Sequence, residues 1–420
     1  MIDLATARRG LGDWAGACAA AHVDVDLDLR ALARTHGRDL AARVRADLRY
    51  LAPDLLRWHL PRVAPDGLLR PGLTITLARY ATAGTRGGGE GFVHLVVRTA
   101  PAWADAGQRV ALGLWEGAAA SPHPHARPNR RFRLDLHRHL WDARRADELP
   151  LRCGAPPGEN ASAQLPPGCA VDRWAEEAAL LLRAEKSTAG MVLVRCGARR
   201  RVVLEVGAQV RITEEYRRGA VSALPVLPDA ATWALPDLVL LRAGAISVDQ
   251  LHPLVAAALD PTWSPRAASR KFGGPERPRL VWCRGQWHRI GFVDGRLAAL
   301  DHDPAEIRRE ELLVALTGTA LPCLQVIDRA HRRPEALTGI RERLDHGDSA
   351  GALAEVERLL GPAALLRDGP LRDELESAAR RRITYGLFRA GLSAPGRGVP
   401  APAGRPRRED GVRPRHAVKR

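Results

Sequence analysis

The stretch LTITLARY, residues 73–80, decides the fold class because it begins a series of strand-like segments after a helical N-terminal region. FVHLVVRT (92–99), RVALGLW (109–115) and RFRLDL (131–136) follow it, and all four are rich in β-branched and aromatic residues or alternate apolar with polar ones. Clusters of glycine and proline separate them, as turns between strands require. The pattern predicts four strands in an antiparallel arrangement.

The segments on either side of these strands have helical spacing. Residues 1–52 contain no proline, and LRALARTHGRDLAARVRADLRYL (29–51) repeats apolar residues at helical intervals, with an interruption at Gly37. Further along, VDRWAEEAALLLRAEKS (171–187) predicts a helix, and MVLVRCGARRRVVLEVG (191–207) predicts a hairpin. We therefore expect an α+β protein.

The chain divides into five segments by composition and pattern. In the fourth, Asp303 followed by Pro304 and Glu306 predicts the start of a helix. The last 28 residues are mostly Pro, Gly and Arg, with little to bury. The segments are a helical N-terminal region (1–66), an α+β domain with mainly antiparallel strands (67–260), a linker (261–278), a small antiparallel β-meander joined to a helical region (279–392) and a disordered basic tail (393–420).

The chain is basic, with 64 Lys and Arg residues against 48 Asp and Glu residues and a net charge of +16. Only Lys186, Lys271 and Lys419 are lysines, which is typical of a GC-rich genome. The charge is uneven: residues 393–420 and 262–290 each carry +6, residues 117–145 carry +5 and residues 195–218 carry +4. Such patches are what binding to a polyanion requires, although a solvated basic surface would have the same composition.

The six cysteines, at positions 18, 153, 169, 196, 283 and 323, form no C-x-x-C pair. This excludes a zinc ribbon and a thioredoxin-type site, and it favours reduced, buried thiols in a cytoplasmic protein. The N-terminus has no apolar signal core, and no apolar run approaches the roughly 18–20 residues that span a bilayer. We expect a cytoplasmic protein that does not enter a membrane and has no cofactor.

The strongest candidate for a binding surface is RLVWCRGQWHRIGFVDGRLAAL (279–300). A two-residue turn at Gly285-Gln286 would pair Arg284 with Trp287 and Trp282 with Arg289. These four side chains would then share one face, while the other face would be core and consist of Val281, Cys283, His288, Ile290 and Phe292. Two Trp and two Arg on an open sheet face could stack bases and bind phosphates. Alternatively, the Trp and Arg side chains stack on each other beneath the following helices.

Two further groups of basic residues join this face in the predicted nucleic-acid interface. They come from the linker before the hairpin and from the basic stretch at 117–145. The full set of candidate residues is Trp282, Arg284, Trp287, Arg289, Arg266, Arg270, Lys271, Arg277, Arg130, Arg131 and Arg133.

A metal site is a weaker alternative. If 131–136 is a strand, Asp135, His137 and His139 lie on one face and offer two imidazoles and a carboxylate. Arg133 and Arg138 would, however, place positive charge beside the cation. We expect a solvated strand face here, and we assign no catalytic residue anywhere in the chain.

Four other motifs lack the context that their chemistry needs. GTRGGGEGFV (84–93) resembles a kinase glycine loop, but the third strand has no lysine. GDSAG (347–351) matches the serine-hydrolase pattern, but it follows a charged helix, so Asp348 and Ser349 should be helix caps. DVDLD (24–28) lacks the Gly and Glu of a calcium loop. A helix-turn-helix at 29–50 is only a partial match, with arginines at apolar positions.

These observations favour a non-enzymatic cytoplasmic regulatory or accessory protein that binds DNA or RNA through Arg-rich surfaces. Two alternatives stay open. One is an enzyme, such as a metal-dependent hydrolase that uses Asp135, His137 and His139. The other is a protein-interaction scaffold whose docking surface is formed by the C-terminal helices.

Overall fold

The computed structural model has the expected α+β fold, with helices and several small sheets. The glycine-rich stretch at 83–90, residues 265–278 of the linker and the tail at 393–420 lie outside the described residues. The described residues are 1–82, 91–117, 123–153, 165–188, 190–197, 200–207, 211–213, 223–264, 279–318 and 320–392. They form two compact units: the first contains 1–103 and 109–264, and the second contains 104–108 and 279–392.

The first unit begins with the predicted helices. They are α1 (Ile2–Gly10), α2 (Trp14–Ala20), α3 (Leu29–His36), α4 (Arg38–Tyr50) and α5 (Pro53–His59), with the short strands β1 (Val23–Asp26), β2 (Arg62–Val63) and β3 (Leu68–Leu69). Asp28 begins α3, because its carboxylate accepts hydrogen bonds from the backbone N–H groups of Arg30 and Ala31. Gly37, with φ of 90°, separates α3 from α4 at the predicted interruption.

The main sheet contains three of the four predicted strands. They are β4 (Thr74–Thr82), β5 (Gly91–Thr99) and β6 (Val110–Trp115), and they pair antiparallel as expected. The sheet has the order β1-β6-β5-β4, with β1 parallel to β6. Helices and sheet share one buried core, in which Leu48, Leu55, Leu77 and Leu95 are fully buried.

The fourth predicted strand, 131–136, is wrong, because these residues form an irregular segment that ends in a turn at 135–136. A backbone hydrogen bond attaches this segment to β4: the N–H of Leu134 donates to the carbonyl of Thr76 at 2.7 Å. Phe132 and Leu134 are buried, and the indole N–H of the buried Trp141 donates to the carbonyl of Leu134. These contacts bury alternate residues, so the segment has the same apolar–polar alternation as a strand.

Among the residues that the structure describes, the rest of the first unit forms a three-stranded sheet and five α-helices. The elements are α6 (Leu149–Cys153), α7 (Val171–Ala184), β7 (Met191–Val194), β8 (Val202–Glu205), β9 (Arg211–Thr213), α8 (Asp229–Thr232), α9 (Pro236–Arg242) and α10 (Pro253–Leu259). β7 and β8 pair antiparallel, which confirms the predicted hairpin. α7 buries Trp174 and Leu181 in a core with Val192 and Val202.

His94 on β5 should make the first unit sensitive to acid. Burial, with a smaller contribution from the charge of Arg79, lowers the pKa of His94 from 6.5 to about 4. The unfolded chain therefore binds more protons than the folded chain between these pH values. The stabilising contribution of neutral His94 is complete above pH 6.5 and is lost as the pH falls to about 4.

We expect His94→Gln to flatten the decrease in melting temperature between pH 6.5 and 4.5, as measured by calorimetry. The exposed His125 provides a control, and His125→Gln should melt with the pH dependence of the wild type. Equal slopes for His94→Gln and the wild type would contradict this prediction.

The second unit contains the predicted meander and helices. They are β10 (Arg279–Cys283), β11 (Gln286–Val293), β12 (Arg296–Ala299), α11 (Pro304–Thr317), α12 (Pro322–Arg332), α13 (Leu337–Asp345), α14 (Ser349–Leu360) and α15 (Pro370–Arg389). Two predicted caps are confirmed: Asp303 accepts from the N–H of Ala305, and Asp348 accepts from the N–H of Gly351. Ser349 is instead the first residue of α14. Of the helices described, none has both the length and the apolar character needed to cross a membrane.

Helix α12 packs against all three strands of the meander and covers one of its faces. Cys283 and Ile290 are buried on this inner face, and Cys323 and Ile327 are buried on the helix. A separate helical core joins α13, α14 and the start of α15. The meander therefore has a buried inner face and an open outer face.

Candidate functional site

The hairpin of β10 and β11 turns one residue earlier than the sequence predicted. Cys283 pairs with Gln286, so the two turn residues are Arg284 and Gly285. Their φ angles are 51° and 81°, and positive values at both positions are what a type I′ turn requires. This turn has the twist that joins two strands tightly, which explains why it replaces the predicted Gly285-Gln286 turn.

The faces of the hairpin follow the prediction although the pairing does not. Trp282 pairs with Trp287, and the predicted pairs Trp282–Arg289 and Arg284–Trp287 are wrong. Because side chains alternate with a period of two, the observed shift leaves Trp282, Trp287 and Arg289 on one face. Arg284 leaves that face because it lies in the turn. Phe292, predicted as core, is 49% exposed.

The outer face of the hairpin, formed by Leu280, Trp282, Trp287 and Arg289, is here named the tryptophan face. Trp282 is 54% exposed and Trp287 is 63% exposed. Their ring centroids lie 5.3 Å apart, with an interplanar angle of 67°. The alternative expectation, that these tryptophans are covered by the following helices, is therefore wrong. Two large aromatic side chains lie side by side and face solvent.

The arginines of this hairpin have acidic partners. Arg289 makes a bidentate ion pair with Asp301, with Nη2 at 2.7 Å and Nε at 3.1 Å from Oδ1 of Asp301. Hydrogen bonds from the side chain and backbone of Arg289 lower the pKa of Asp301 to about 2. Arg284 contacts Glu306, and its Nη2 lies 2.6 Å from Glu310. These exposed pairs are weak in free energy, but they hold the guanidinium groups in place.

The other predicted arginines lie in the first unit or outside the described residues. Arg131 donates to Asp229 at 2.6 Å, and Arg133 pairs with Asp135 and Glu185, each at 2.5 Å. Arg130 lies 3.5 Å from the carbonyl of Leu224. The predicted linker residues Arg266, Arg270, Lys271 and Arg277 are outside the described residues.

The excess charge around the hairpin comes mostly from the linker sequence. Residues 279–392 contain 18 arginines and 17 acidic residues, a net charge of +1. Residues 265–278, which directly precede β10, contain four basic residues and one acidic residue. The meander and its helices therefore supply aromatic surface rather than net charge.

The weak metal candidates of the first unit have separate partners. Asp135 pairs with Arg133. His137 Nε2 lies 3.0 Å from Glu177, whereas His139 Nε2 lies 3.5 Å from the sulfur of Cys153. Burial, with smaller effects of the nearby His137 and Arg152, lowers the pKa of His139 well below its ordinary value. These contacts serve a buried polar network that joins α6 and α7.

A different set of metal-type ligands meets in the second unit. Cys283 at the end of β10, His302 in the loop before α11 and Cys323 in the first turn of α12 are all buried. One ligand atom from each lies within 4.8 Å of the other two. Across the residues that the structure describes, this is the one group of three or more His, Cys, Asp or Glu side chains with such spacing.

The surroundings of His302 leave one ring nitrogen directed at no partner. Its side chain is 3% exposed; Nδ1 lies 3.6 Å from the carboxylate of Glu306, and Nε2 is buried without a hydrogen-bond partner. The ring of His288 stacks on that of His302, with centroids 4.1 Å apart, and its Nδ1 is also buried without a partner. Burial, followed by a hydrogen bond with Cys283, raises the pKa of Cys323 to about 12.

Sequence reasoning missed this cluster because its members are far apart in the chain. Cys283 and Cys323 are separated by 39 residues, and the absence of a C-x-x-C pair removed the usual signal. Two features of the sequence pointed toward the cluster. Cys283 lies on the predicted core face of the hairpin, and His302 directly precedes the predicted helix cap Asp303. The chain was compared with models of protein families, with curated proteins and with solved structures, and no match was found.

Proposed function

We propose that this chain is a non-enzymatic regulatory or accessory protein of the cytoplasm that binds single-stranded nucleic acid on the tryptophan face. One observation carries the proposal: Trp282 and Trp287 are adjacent, more than half exposed and on an open sheet face. Burying both indoles would be favourable, so a solvent-exposed pair of this size indicates a surface that a ligand covers.

Unpaired bases suit this surface better than a duplex does. Each base has a flat π-face that can stack on an indole, and such stacking tolerates any base. The two indoles are inclined to each other at 67°, so each can offer its own ring to a different base. In a duplex the same π-faces are already stacked on neighbouring base pairs. The proposal therefore predicts a preference for single strands with little base specificity.

Basic side chains would contact the phosphates. Arg289 lies on the tryptophan face with a side chain that is 55% exposed, and Arg284 lies at the end of the same hairpin. The segment that precedes β10 in the sequence supplies four further basic residues, Arg266, Arg270, Lys271 and Arg277. The tail at 393–420 adds a further +6. Release of counterions from the nucleic acid would make the affinity strongly dependent on salt.

The test is a titration of a fluorescein-labelled, mixed-sequence single-stranded oligonucleotide with the full chain, followed by anisotropy at several salt concentrations. We expect binding at low salt, a linear decrease of log affinity with log salt, and weaker binding to the matching duplex. A chain that ends at residue 392 should bind more weakly and with a shallower salt slope. An absence of binding at low salt would overturn the proposal, and so would equal binding of duplex and single strand.

Asp301 should limit the contribution of Arg289. Asp301→Asn removes the carboxylate that holds Arg289, so its guanidinium is released to contact a phosphate. We expect tighter binding and a log–log salt slope that is steeper by about 0.7, the value for one additional phosphate contact with a single strand.

Asp294→Asn is the matched control for charge. Asp294 lies in the turn between β11 and β12, and its replacement changes the net charge by the same amount without releasing Arg289. Its effect should be the smaller of the two. If both substitutions increase affinity equally, Arg289 has no special role.

A further inference from the structure

We propose that Cys283, His302 and Cys323 form a zinc site in the second unit. The three side chains come from a strand end, a loop and a helix N-terminus, and their ligand atoms lie within 4.8 Å of one another. Two thiolates and one imidazole are a donor set that zinc prefers, whereas magnesium and calcium require oxygen ligands. The site is separate from the tryptophan face.

The buried groups of this cluster are better satisfied with an ion than without one. His302 Nε2 is buried without a hydrogen-bond partner, although a buried polar nitrogen normally has one. Cys283 and Cys323 are free thiols with no disulfide between them. A zinc ion would bond to all three atoms at once.

Glu306 is positioned to orient His302 toward the ion. Its carboxylate lies 3.6 Å from Nδ1 of His302, and a carboxylate at that nitrogen favours the tautomer in which Nε2 is free to coordinate a metal. Arg284 contacts the same carboxylate and so connects the hairpin turn to the site. Tetrahedral zinc takes four ligands, so one position remains beside these three side chains. The ring of His288, whose Nδ1 is buried without a hydrogen-bond partner, stacks on the ring of His302.

The first experiment measures metal in the full wild-type chain, purified under reducing conditions without a chelator. We expect about one zinc per chain by mass spectrometry of the metal, either as purified or after reconstitution. After zinc is removed, Co²⁺ should give the thiolate-to-cobalt charge-transfer band and the visible bands of a tetrahedral site. Wild-type protein that retains no stoichiometric zinc, or a cobalt complex without thiolate bands, would overturn the proposal. Neither reading depends on a variant or on nucleic acid.

Two substitutions and a control then assign the ligands. Cys323→Ser and His302→Ala should lose the stoichiometric metal, whereas Cys18→Ser should retain it. Cys18 is the control because it is also a buried free cysteine but lies in the core of the first unit. Loss of metal in Cys18→Ser to the same extent as in Cys323→Ser would mean that the assignment is wrong.

Glu306→Gln tests the orienting role without removing a ligand. We expect the zinc affinity, measured by competition with a chelating dye, to fall about 10- to 100-fold. Glu310→Gln is the matched control, because Glu310 pairs with the same Arg284 and lies one helical turn further along α11. Zinc affinity that falls equally in both variants would assign the effect to Arg284 and overturn the role of Glu306.

Discussion

A chain that carries both Trp282→Ala and Trp287→Ala is expected to lose most of its affinity for single-stranded nucleic acid. Stacking contributes about 1–3 kcal/mol for each base that an aromatic side chain binds. Two bases therefore correspond to about 2–6 kcal/mol, or a decrease of roughly 30-fold to 20,000-fold in affinity. The salt slope should change little, because neither indole contacts a phosphate. Anisotropy titrations at two salt concentrations measure both quantities.

The exposure of the two tryptophans makes this double variant informative. Side chains that are more than half exposed contribute little to the folded state, so the melting temperature should stay close to that of the wild type. The conservative pair Trp282→Phe and Trp287→Phe keeps two aromatic rings and should restore part of the affinity. An alanine double variant that binds like the wild type would place binding elsewhere in the chain, for example in the basic tail.

The second large effect is expected in the buried polar network of the first unit. Arg152 makes two hydrogen bonds of 2.8 Å to Glu177, which is 4% exposed. Although burial alone would raise the pKa of Glu177, its hydrogen bonds and charge interactions with His137 and Arg152 lower it. Arg152→Ala leaves this buried carboxylate without its arginine. We expect a loss of about 3–5 kcal/mol in the free energy of unfolding, measured in urea.

An exposed ion pair nearby provides the matched control. Arg145 lies 2.9 Å from Glu148, and their side chains are 52% and 32% exposed. Arg145→Ala should change the free energy of unfolding by less than about 1 kcal/mol. If the two arginine substitutions have equal effects, the network around Glu177 is not sealed from solvent as the structure indicates.

The elements with strong local signals were predictable. LTITLARY and the next two strands have both the residue types and the turn signals of an antiparallel sheet. Asp303 and Pro304 predict the start of a helix because the capping interaction involves only residues that are close in sequence. RFRLDL failed because its alternation arises from anchoring to β4 and Trp141, which are contacts with other parts of the chain. Local pattern cannot distinguish these two causes of the same periodicity.

The candidate sites divide in the same way. The tryptophan face was predictable because the faces of a strand depend only on a period of two, whereas the position of Arg284 required knowledge of the turn. The acidic partners of Arg131, Arg133 and Arg289 were not predictable, because pairing depends on which side chains the fold brings together. The Cys283–His302–Cys323 cluster was missed for the same reason.

The alternation of Trp282 and Cys283 across one strand has a consequence for how this sequence can change during evolution. Insertion or deletion of a single residue in β10 would move the indole inward and the thiol outward, so both surfaces would be lost in one event. A change of two residues would preserve both. We therefore expect related sequences to vary the length of this strand only in steps of two, and to place most of their length variation in the segment that precedes Arg279.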